Sequence, residues 1–453
     1  MLFNSAAYLI FLPIVVTLYW LCPFKFRTAL LLIASYVFYM TWNVGFGLLI
    51  LGLTAANFGI GYFMHKTVNH KKRWLVSGIV LNLLTLGFFK YTYFTRNAVN
   101  GIMAVFPNNY QIPTIPFEII LPLGISFFVF EFIHYLSDVY KGHQPVKSFL
   151  EFELFASFFP TQIAGPIKRY QDFIPQLHKP LQIKVSDFDE GIELILFGLF
   201  KKVLFADAVA PIVNRVFAHP DLLTSADVWL GVWAFAFQIY FDFSGYTDIA
   251  RGSARLLGFK VPINFQLPLM SSNITELWRR WHISLSTWLC DYLFIPLGGS
   301  KLGLLATARN IFITMTLGGL WHGADFNFVA WGAFNGLLIP LHKIWQDTSA
   351  KAPWLQPFLK SQLFHVLSIF LTFQAFCFGL LLFRASSVAN GILLCGKALM
   401  LAPSPAGCMP WDVTVTGVTT SVVFPLLPVL LLLMMAGQII SARFKGTPGV
   451  LPM

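Results

Sequence analysis

Charged residues are scarce in this chain of 453 residues: Asp, Glu, Lys and Arg together make up only 11%. A soluble domain carries about a quarter charged residues, because its surface has to satisfy water. Here hydrophobic residues reach 57%, and the mean hydropathy is +0.68. The shortage of charge therefore excludes an ordinary soluble protein and predicts that most of the surface faces lipid or other helices.

Cysteines are also few, and none of them forms a CxxC pair or a metal-ligand spacing. This pattern argues against a zinc or dithiol redox site, and the cysteines are interpreted as small apolar residues. The net charge of +11 comes without a basic helix or an aromatic stacking module outside the apolar runs. It therefore does not indicate nucleic-acid binding.

Apolar runs of bilayer length recur along the whole chain. A transmembrane helix needs about 20 mainly apolar residues, so the runs predict an all-α polytopic membrane protein with about 11–12 spans. We expect one domain, residues 1–453. The predicted spans lie near residues 3–22, 28–43, 44–64, 74–94, 118–140, 190–206, 228–250, 282–298, 304–321, 326–345, 362–384 and 417–441.

Two further segments and the basic clusters complete this topology. Residues 151–167 are short and interrupted by Pro and Gly, which favours a re-entrant segment; residues 387–402 are ambiguous. Basic clusters at 25–27 and 66–73 are two spans apart, so both can face the cytoplasm, where Lys and Arg are enriched. Continuing along the chain predicts an outside N-terminus and a cytoplasmic C-terminus near Arg443 and Lys445.

The longest polar interruption runs from Asn273 to Trp288 and has the sequence NITELWRRWHISLSTW. Asn273 followed by Glu276 is typical of a capping box, which predicts a helix from there through Asp291. On such a helix Trp278 and His282 would share a face. Buried ionisable groups in a membrane protein are costly, so each is a functional candidate.

A second histidine follows a turn near Ser300, in the sequence LGGLWHGAD at residues 317–325. His282 lies 18 residues before that turn and His322 lies 22 after it, so two helical arms of nearly equal length would return both rings to a similar depth. The glycines at 318, 319 and 323 remove Cβ atoms, which allows another backbone or a ligand to approach His322. Asp325 could orient the ring if the helix continued that far.

The chemistry that suits two such histidines is acyl transfer. An imidazole among apolar helices stays neutral at pH 7 because burial disfavours the charged form. It can then take the proton from a hydroxyl that attacks a thioester carbonyl, with no Ser or Cys nucleophile and no metal required. The alternative is structural: histidine and tryptophan near a membrane interface also serve as anchors, and arginines extend toward headgroups.

Other ionisable residues lie within the apolar runs. Asp242 and Asp248 are interpreted as members of a structural network that pairs with basic residues, or alternatively as a wall of a substrate tunnel. Glu131, His134 and Asp138 share one helical face and are expected to bond within the bundle, although a proton path is an alternative.

Five motifs in order resemble the membrane-bound O-acyltransferase family, and within it the bacterial members that serve alginate O-acetylation. They are PLGISFFVFE at 122–131, FFPTQIAGPIKRY at 158–170, YFDFSGYTDIARG at 240–252, NITELWRRWHISLSTWLCDYLFIPLGGS at 273–300 and GGLWHGADFNFVAWG at 318–332. They form a motif core at about 120–340. Cys290 stands where the family pattern has Arg, so one charge that could contact the donor or a partner is missing.

The resemblance implies a helical bundle around a transmembrane tunnel in a bacterial inner membrane. His322 and His282 would be catalytic, with His322 as the general base. The group transferred would be an acyl group, expected to be acetyl, from a cytoplasmic thioester such as acetyl-CoA or an acyl carrier protein, with no bound cofactor. The substrate-binding residues expected in these motifs are Asn273, Arg279, Arg280, Trp281, Asp291, Trp321 and Gly323.

The acceptor implied by the resemblance is an exopolysaccharide such as alginate, reached directly or through a periplasmic SGNH-type acyltransferase partner. Three alternatives stay open at this point. One is D-alanyl transfer to teichoic acid from a carrier protein, another is a transporter, and a third is a structural scaffold of a secretion complex. Transporters often contain inverted repeats, and no such symmetry is visible in this sequence.

Overall fold

The computed structural model describes residues 1, 3–67, 69–106, 110–179 and 184–403, with two short strands beyond them. Throughout this part the fold is all-α, as predicted, and the strands Thr414–Val415 (β1) and Val418–Thr419 (β2) pair antiparallel. The α-helices are α1 Ala6–Leu21, α2 Phe24–Met40, α3 Val44–Lys66, α4 Lys71–Leu86, α5 Thr92–Met103, α6 Ile125–Tyr140, α7 Phe149–Ser157, α8 Tyr170–Leu177, α9 Val185–Leu199, α10 Asp207–Ala218, α11 Ser225–Leu256, α12 Ile274–Arg280, α13 Ile283–Leu289, α14 Leu304–His322, α15 Phe326–Ser349, α16 Gln356–Leu359, α17 Gln362–Arg384 and α18 Val388–Ala398.

Three helical stretches in the described part are long and apolar enough to cross a membrane: Val44–Lys66, Lys71–Met103 and Gln362–Arg384. The second is continuous because a π-helix, Gly87–Tyr91, joins α4 to α5. The protein is therefore a multi-pass membrane protein. The predicted span at 417–441 lies outside the described residues apart from β2, and so do Arg443 and Lys445.

Contacts divide the chain into two compact units. The first contains residues 1–200, 243–264 and 282–336. Its helix α6 is buried along most of its length, and α3 and α4 pack closely against it. This close approach requires glycine, because a Cβ at Gly61 would collide with Tyr135 and one at Gly78 would collide with Leu136.

The second unit contains residues 201–242, 265–281 and 337–453. Its core is built from apolar residues of α10, α11, α17 and α18. Lys397 is buried there, and its ammonium donates to the carbonyls of Pro220, Asp221 and Leu223 at 2.9, 2.7 and 3.0 Å. Such bonds satisfy a buried cation without a carboxylate partner.

The predicted single helix from Asn273 through Asp291 is wrong, because the backbone breaks at Trp281 and His282. Its start is confirmed, since the side chain of Asn273 caps α12 by accepting from the Glu276 amide at 2.9 Å. Trp281 is then extended and His282 is left-handed, with φ 44°, before α13 begins. Trp278 and His282 therefore do not share a helical face.

The break has a physical cause in the segment 264–266, which pairs with the backbone around it. The Gln266 amide donates to the Arg280 carbonyl at 3.0 Å, and Phe265 forms an isolated antiparallel bridge with Trp281. On the other side of the break, the Ile283 amide donates to the Asn264 carbonyl at 3.0 Å. These bonds replace helical ones, so the chain loses no hydrogen bonding by leaving the helix.

Candidate active site

His282 occupies a strained backbone conformation at the start of α13. A left-handed residue with a Cβ costs roughly 1–2 kcal/mol, and such strain persists only where the surroundings impose it. The imidazole is 2% exposed and packs edge-on against the ring of Phe243, with 4.7 Å between centroids. Strained residues of this kind cluster at functional sites.

His322 is the last residue of α14, and the structure brings its ring to His282. The two imidazole centroids are 6.5 Å apart, which agrees with the similar depth predicted from the two arm lengths. Trp321 lies beside both, with its ring 4.9 Å from that of His322 and 6.1 Å from that of His282. Trp331 contacts the other side of His322 edge-on at 5.2 Å.

The glycines around His322 allow α15 to approach, as predicted. A Cβ at Gly319 would collide with the carbonyl oxygen of Phe328 and would lie 2.9 Å from the Cα of Gly332. A Cβ at Gly323 would collide with the Phe328 ring. The helix ends at His322, however, so the condition under which Asp325 would orient the ring is not met.

Three buried polar atoms around the pair lack a hydrogen-bond partner among the described residues. They are both ring nitrogens of His282 and the indole Nε1 of Trp321. Trp321 is only 8% exposed. Buried polar groups are nearly always hydrogen-bonded, so unpaired ones indicate a place where a ligand or water binds.

Two more of the predicted substrate-binding residues lie in the same unit as the two histidines. Gly323 is the extended residue that ends α14. Asp291 lies on the π-helix Cys290–Phe294, where its carboxylate accepts from Arg169 at 2.7 Å. The carboxylate that follows Cys290, the position where the family pattern has Arg, is thus paired with a cation from another part of the chain.

The remaining four predicted residues lie in the second unit. Asn273 uses its amide oxygen to cap α12, and Arg280 pairs with Glu276 at 2.5 Å on the same helix. Arg279 is exposed. Trp281 is buried against Phe265 and Phe376, with centroids 5.1 and 5.0 Å away. The substrate-binding roles of all seven residues stay predictions.

Two of the three ionisable residues on one face of α6, Glu131 and Asp138, are bonded within the bundle, as predicted, whereas Nδ1 of His134 has no partner among the described residues. Lys168 Nζ donates to both carboxylate oxygens of Glu131, at 2.8 and 3.1 Å, and both side chains are buried. Asp138 accepts from Gln171 at 2.6 Å and from Tyr292 at 2.8 Å. Lys168 is therefore a buried member of an ion pair.

The two aspartates after Tyr240 are also paired with basic residues, as predicted. Asp242 accepts from Lys202 at 2.6 Å in the second unit. Asp248 lies 3.4 Å from Arg251 in the first unit. The predicted pairing with basic residues is confirmed.

Sequence reasoning missed the residues that surround Trp321. Phe130 stacks on Trp321 and on Trp288, with centroids 5.3 and 3.8 Å away. Lys90 donates to the Trp321 carbonyl, and Tyr91 donates to the Leu320 carbonyl at 2.8 Å. A signal for Lys90 was present, because a single lysine within the apolar run 74–94 is an intramembrane charge.

An open cavity of about 400 Å³ lies beside α13, the helix that starts directly after His282. Its lining includes Ile283, Ser284, Arg169 and Asp172, all in the first unit. Arg169 gives the cavity a planar cationic donor of the kind that binds phosphate. The cavity can therefore hold a polar, anionic ligand.

The described fold and site define a multi-pass helical membrane protein with two adjacent buried histidines. The model of the membrane-bound O-acyltransferase family matches residues 128–384, which is more than half of the chain. The chain belongs to this family and is an O-acyltransferase. This membership favours the enzyme over the transporter and the scaffold.

Curated relatives are consistent with the family. A Pseudomonas putida protein named "Probable alginate O-acetylase AlgI" is 43% identical over 348 residues, which is 76% of this chain and 71% of the relative. A Helicobacter pylori "Peptidoglycan O-acetyltransferase" is 32% identical over 86% of this chain and 78% of its own length. A Bacillus subtilis "Teichoic acid D-alanyltransferase" is 29% identical over 59% of this chain and 70% of its own length.

Proposed function

We propose that this protein moves an acetyl group from a cytoplasmic thioester across the membrane for O-acetylation of an exopolysaccharide such as alginate, with His322 as the general base. The observation that carries the proposal is the pair of imidazoles 6.5 Å apart, next to three buried polar atoms without described partners. A reacting hydroxyl and a thioester carbonyl would supply those partners. Their binding would complete the hydrogen bonding of the site.

The reaction follows from the neutral imidazole. The acceptor hydroxyl donates its proton to a ring nitrogen of His322 as its oxygen attacks the thioester carbonyl carbon. The tetrahedral intermediate collapses, the C–S bond breaks, and the leaving thiolate takes the proton back from the imidazolium. The ester and a free thiol are the products, and His322 ends in its starting state.

Charge develops on the carbonyl oxygen during this attack, and donors that are already in place would stabilise it. Trp321 Nε1 is a donor only, and one ring nitrogen of neutral His282 also carries a proton. Neither the Trp321 Nε1 nor the His282 ring nitrogens form another hydrogen bond among the described residues. Removing one such donor typically lowers kcat about 10²–10³-fold, which is the size of effect expected for His282.

The thioester donor would bind in the cavity beside α13. Its Arg169 guanidinium suits the phosphates of acetyl-CoA or of a phosphopantetheine arm on an acyl carrier protein. The donor acts as a co-substrate, and no resident cofactor is required. In this arrangement the histidine pair lies within a tunnel that the donor enters from the cytoplasmic side.

The acceptor side follows from the names of the relatives, which include an alginate O-acetylase and a peptidoglycan O-acetyltransferase. We assign this chain a polysaccharide acceptor pathway and a periplasmic SGNH-type partner that completes delivery. The protein would form one domain, residues 1–453 with a motif core at 120–340, in the bacterial inner membrane. Its N-terminus would lie outside and its C-terminus in the cytoplasm.

The proposal is tested with purified full-length protein in nanodiscs and radiolabelled acetyl-CoA or charged acyl carrier protein. His322→Ala should lower acetyl transfer by about 10²–10⁴-fold, because the general base is lost. His282→Ala should lower it severely but less completely. The matched control is His65→Ala, since His65 is an exposed histidine at the end of α3.

Transfer by His322→Ala at the wild-type rate would refute the assignment of the base. Transfer from neither donor by the wild-type protein would refute the thioester. An unchanged His282→Ala variant would remove His282 from the site.

A second candidate is D-alanyl transfer to teichoic acid from a carrier-protein thioester. The observation that favours it is the 29% identity to the teichoic acid D-alanyltransferase of Bacillus subtilis. The same base chemistry applies, and only the acyl group and acceptor differ. Offering D-alanyl and acetyl carrier proteins in the same assay separates the two.

A further inference from the structure

Lys90 lies in the interior of the long apolar helical stretch Lys71–Met103, well past the basic residues 71–73 at its start. Lys90 is half-buried there, and in the described part of the chain it forms no ion pair. Its ammonium donates to the carbonyl oxygen of Trp321 and lies 3.5 Å from the Ser126 hydroxyl. A charge at bilayer depth is costly, so a function is expected for it.

The place that Lys90 reaches is the last turn of α14, the helix that ends in His322. The final four carbonyls of an α-helix have no partner within the helix. The Lys90 ammonium donates a hydrogen bond to the carbonyl oxygen of Trp321, and the hydroxyl of Tyr91 donates one to the carbonyl oxygen of Leu320 at 2.8 Å. Two consecutive residues of one helical stretch thus cap the end of another, more than 200 positions away in the sequence.

The cap is also electrostatically favourable. The C-terminal end of a helix carries a partial negative charge, which a nearby cation stabilises. The Lys90 ammonium also lies 5.6 Å from the centroid of the Trp321 ring, within the range of a cation–π contact. Both the backbone and the side chain of Trp321 are therefore held by the same lysine.

The local backbone supports this reading. Lys90 and Tyr91 belong to the π-helix Gly87–Tyr91, and π-helical turns are rare and occur frequently at functional sites. Two other π-helices in the described part carry an ionisable residue that is paired with opposite charge. Lys202 pairs with Asp207 and Asp242, and Asp291 pairs with Arg169. Lys90, on the π-helix Gly87–Tyr91, instead contacts a backbone carbonyl at the end of α14, the helix that carries His322.

We propose that Lys90 and Tyr91 form a clamp on the last turn of α14 that holds the imidazole of His322 next to His282. Both are positioning residues, since they act through the backbone of residues 320 and 321. The inference rests on the proposed function, because the position of His322 affects catalysis only if His322 is the base. A helix that ends in an extended glycine would otherwise fray at the residue that carries the chemistry.

The test uses full-length protein in nanodiscs and the variants Lys90→Met, Tyr91→Phe and the double variant. Met keeps the length and apolar character of the lysine side chain, and Phe removes only the hydroxyl. The matched control is Lys66→Met, because Lys66 also lies against a tyrosine ring, that of Tyr62 at 4.4 Å, but is exposed.

Two readouts are measured on each variant. Hydrogen exchange of a peptide covering residues 317–324 reports fraying of the turn whether or not His322 is catalytic. Loss of one cap should speed it about 5-fold, since a hydrogen bond contributes about 1 kcal/mol net. Steady-state transfer should show kcat lowered about 10- to 100-fold in Lys90→Met with KM unchanged, because a misplaced base affects the transition state.

Faster exchange with lower kcat in the two single variants, and additive effects in the double variant, supports the clamp. Unchanged exchange in both single variants overturns it, whatever the activity. Faster exchange with unchanged kcat also overturns the positioning role, provided that His322→Ala is inactive. An active His322→Ala variant refutes the proposed base instead, and the exchange result then decides only whether the turn is capped.

Discussion

Two buried polar regions of the first unit differ in how their groups are satisfied. The ion-pair cluster consists of Glu131, Asp138 and Lys168, and each of its charged groups meets an opposite charge. The histidine cluster consists of His282, Trp321 and His322. Its two His282 nitrogens and its Trp321 Nε1 have no hydrogen-bond partner among the described residues.

This difference distinguishes a structural cluster from a functional one, although in the sequence both consist of ionisable residues within apolar runs. Burial of a polar group is costly unless the group is paired, so a fully paired cluster is explained by folding alone. A cluster that leaves buried atoms unpaired needs a further partner, such as a ligand or a water molecule. Changes in the ion-pair cluster should therefore affect stability first, and changes in the histidine cluster should affect catalysis first.

The largest stability effect is expected from breaking the Glu131–Lys168 pair. Lys168→Met should lower the free energy of unfolding by about 3–5 kcal/mol, because it leaves a buried carboxylate without its cation. The double variant Glu131→Leu/Lys168→Met should recover most of that loss, since no buried charge remains. The measurement is unfolding of the purified protein in detergent, followed by circular dichroism.

The control for that cycle is the exposed pair of Lys343 and Asp347, 2.9 Å apart. Lys343→Met should change stability by less than about 1 kcal/mol. A Lys168→Met protein as stable as the wild type would contradict the structural role of the cluster.

An intermediate effect is expected where α15 packs against the histidine cluster. Gly319→Ala should destabilise the protein by about 1–3 kcal/mol and lower transfer, because its Cβ would collide with the Phe328 carbonyl. Gly59→Ala on α3 is the matched control, since no atom lies within 4 Å of its Cβ position. Equal stability of the two variants would show that α14 and α15 do not need this close approach.

The smallest effect concerns the backbone strain at His282. His282→Gly should be more stable than His282→Ala by about 1 kcal/mol, because glycine adopts the left-handed conformation without strain while alanine does not. Both variants should lose transfer to the same extent, as both lack the imidazole. Thermal unfolding and acetyl transfer are measured for both variants. A glycine variant less stable than the alanine variant would contradict the proposed backbone strain at His282.

Much of the fold and part of the site could be predicted from the sequence. The helical runs and the capping residue Asn273 follow from local periodicity and side-chain chemistry, and the similar depth of His282 and His322 follows from two arms of similar length. The break at Trp281 could not be predicted, because it depends on pairing with residues 264–266. The clamp by Lys90 was missed because its target lies 231 positions further along the chain.

Composition alone determined that this is a membrane protein, because a chain with so few charged residues cannot form a water-soluble surface. Tertiary structure decided which buried polar groups are paired and which are left for a ligand. The physical reason is that hydrogen bonds in an apolar interior are made with whatever group the fold brings near. Lys168 donates to Glu131, and Lys90 donates to a carbonyl at the end of α14. Both ring nitrogens of His282, by contrast, have no hydrogen-bond partner in the described part of the chain.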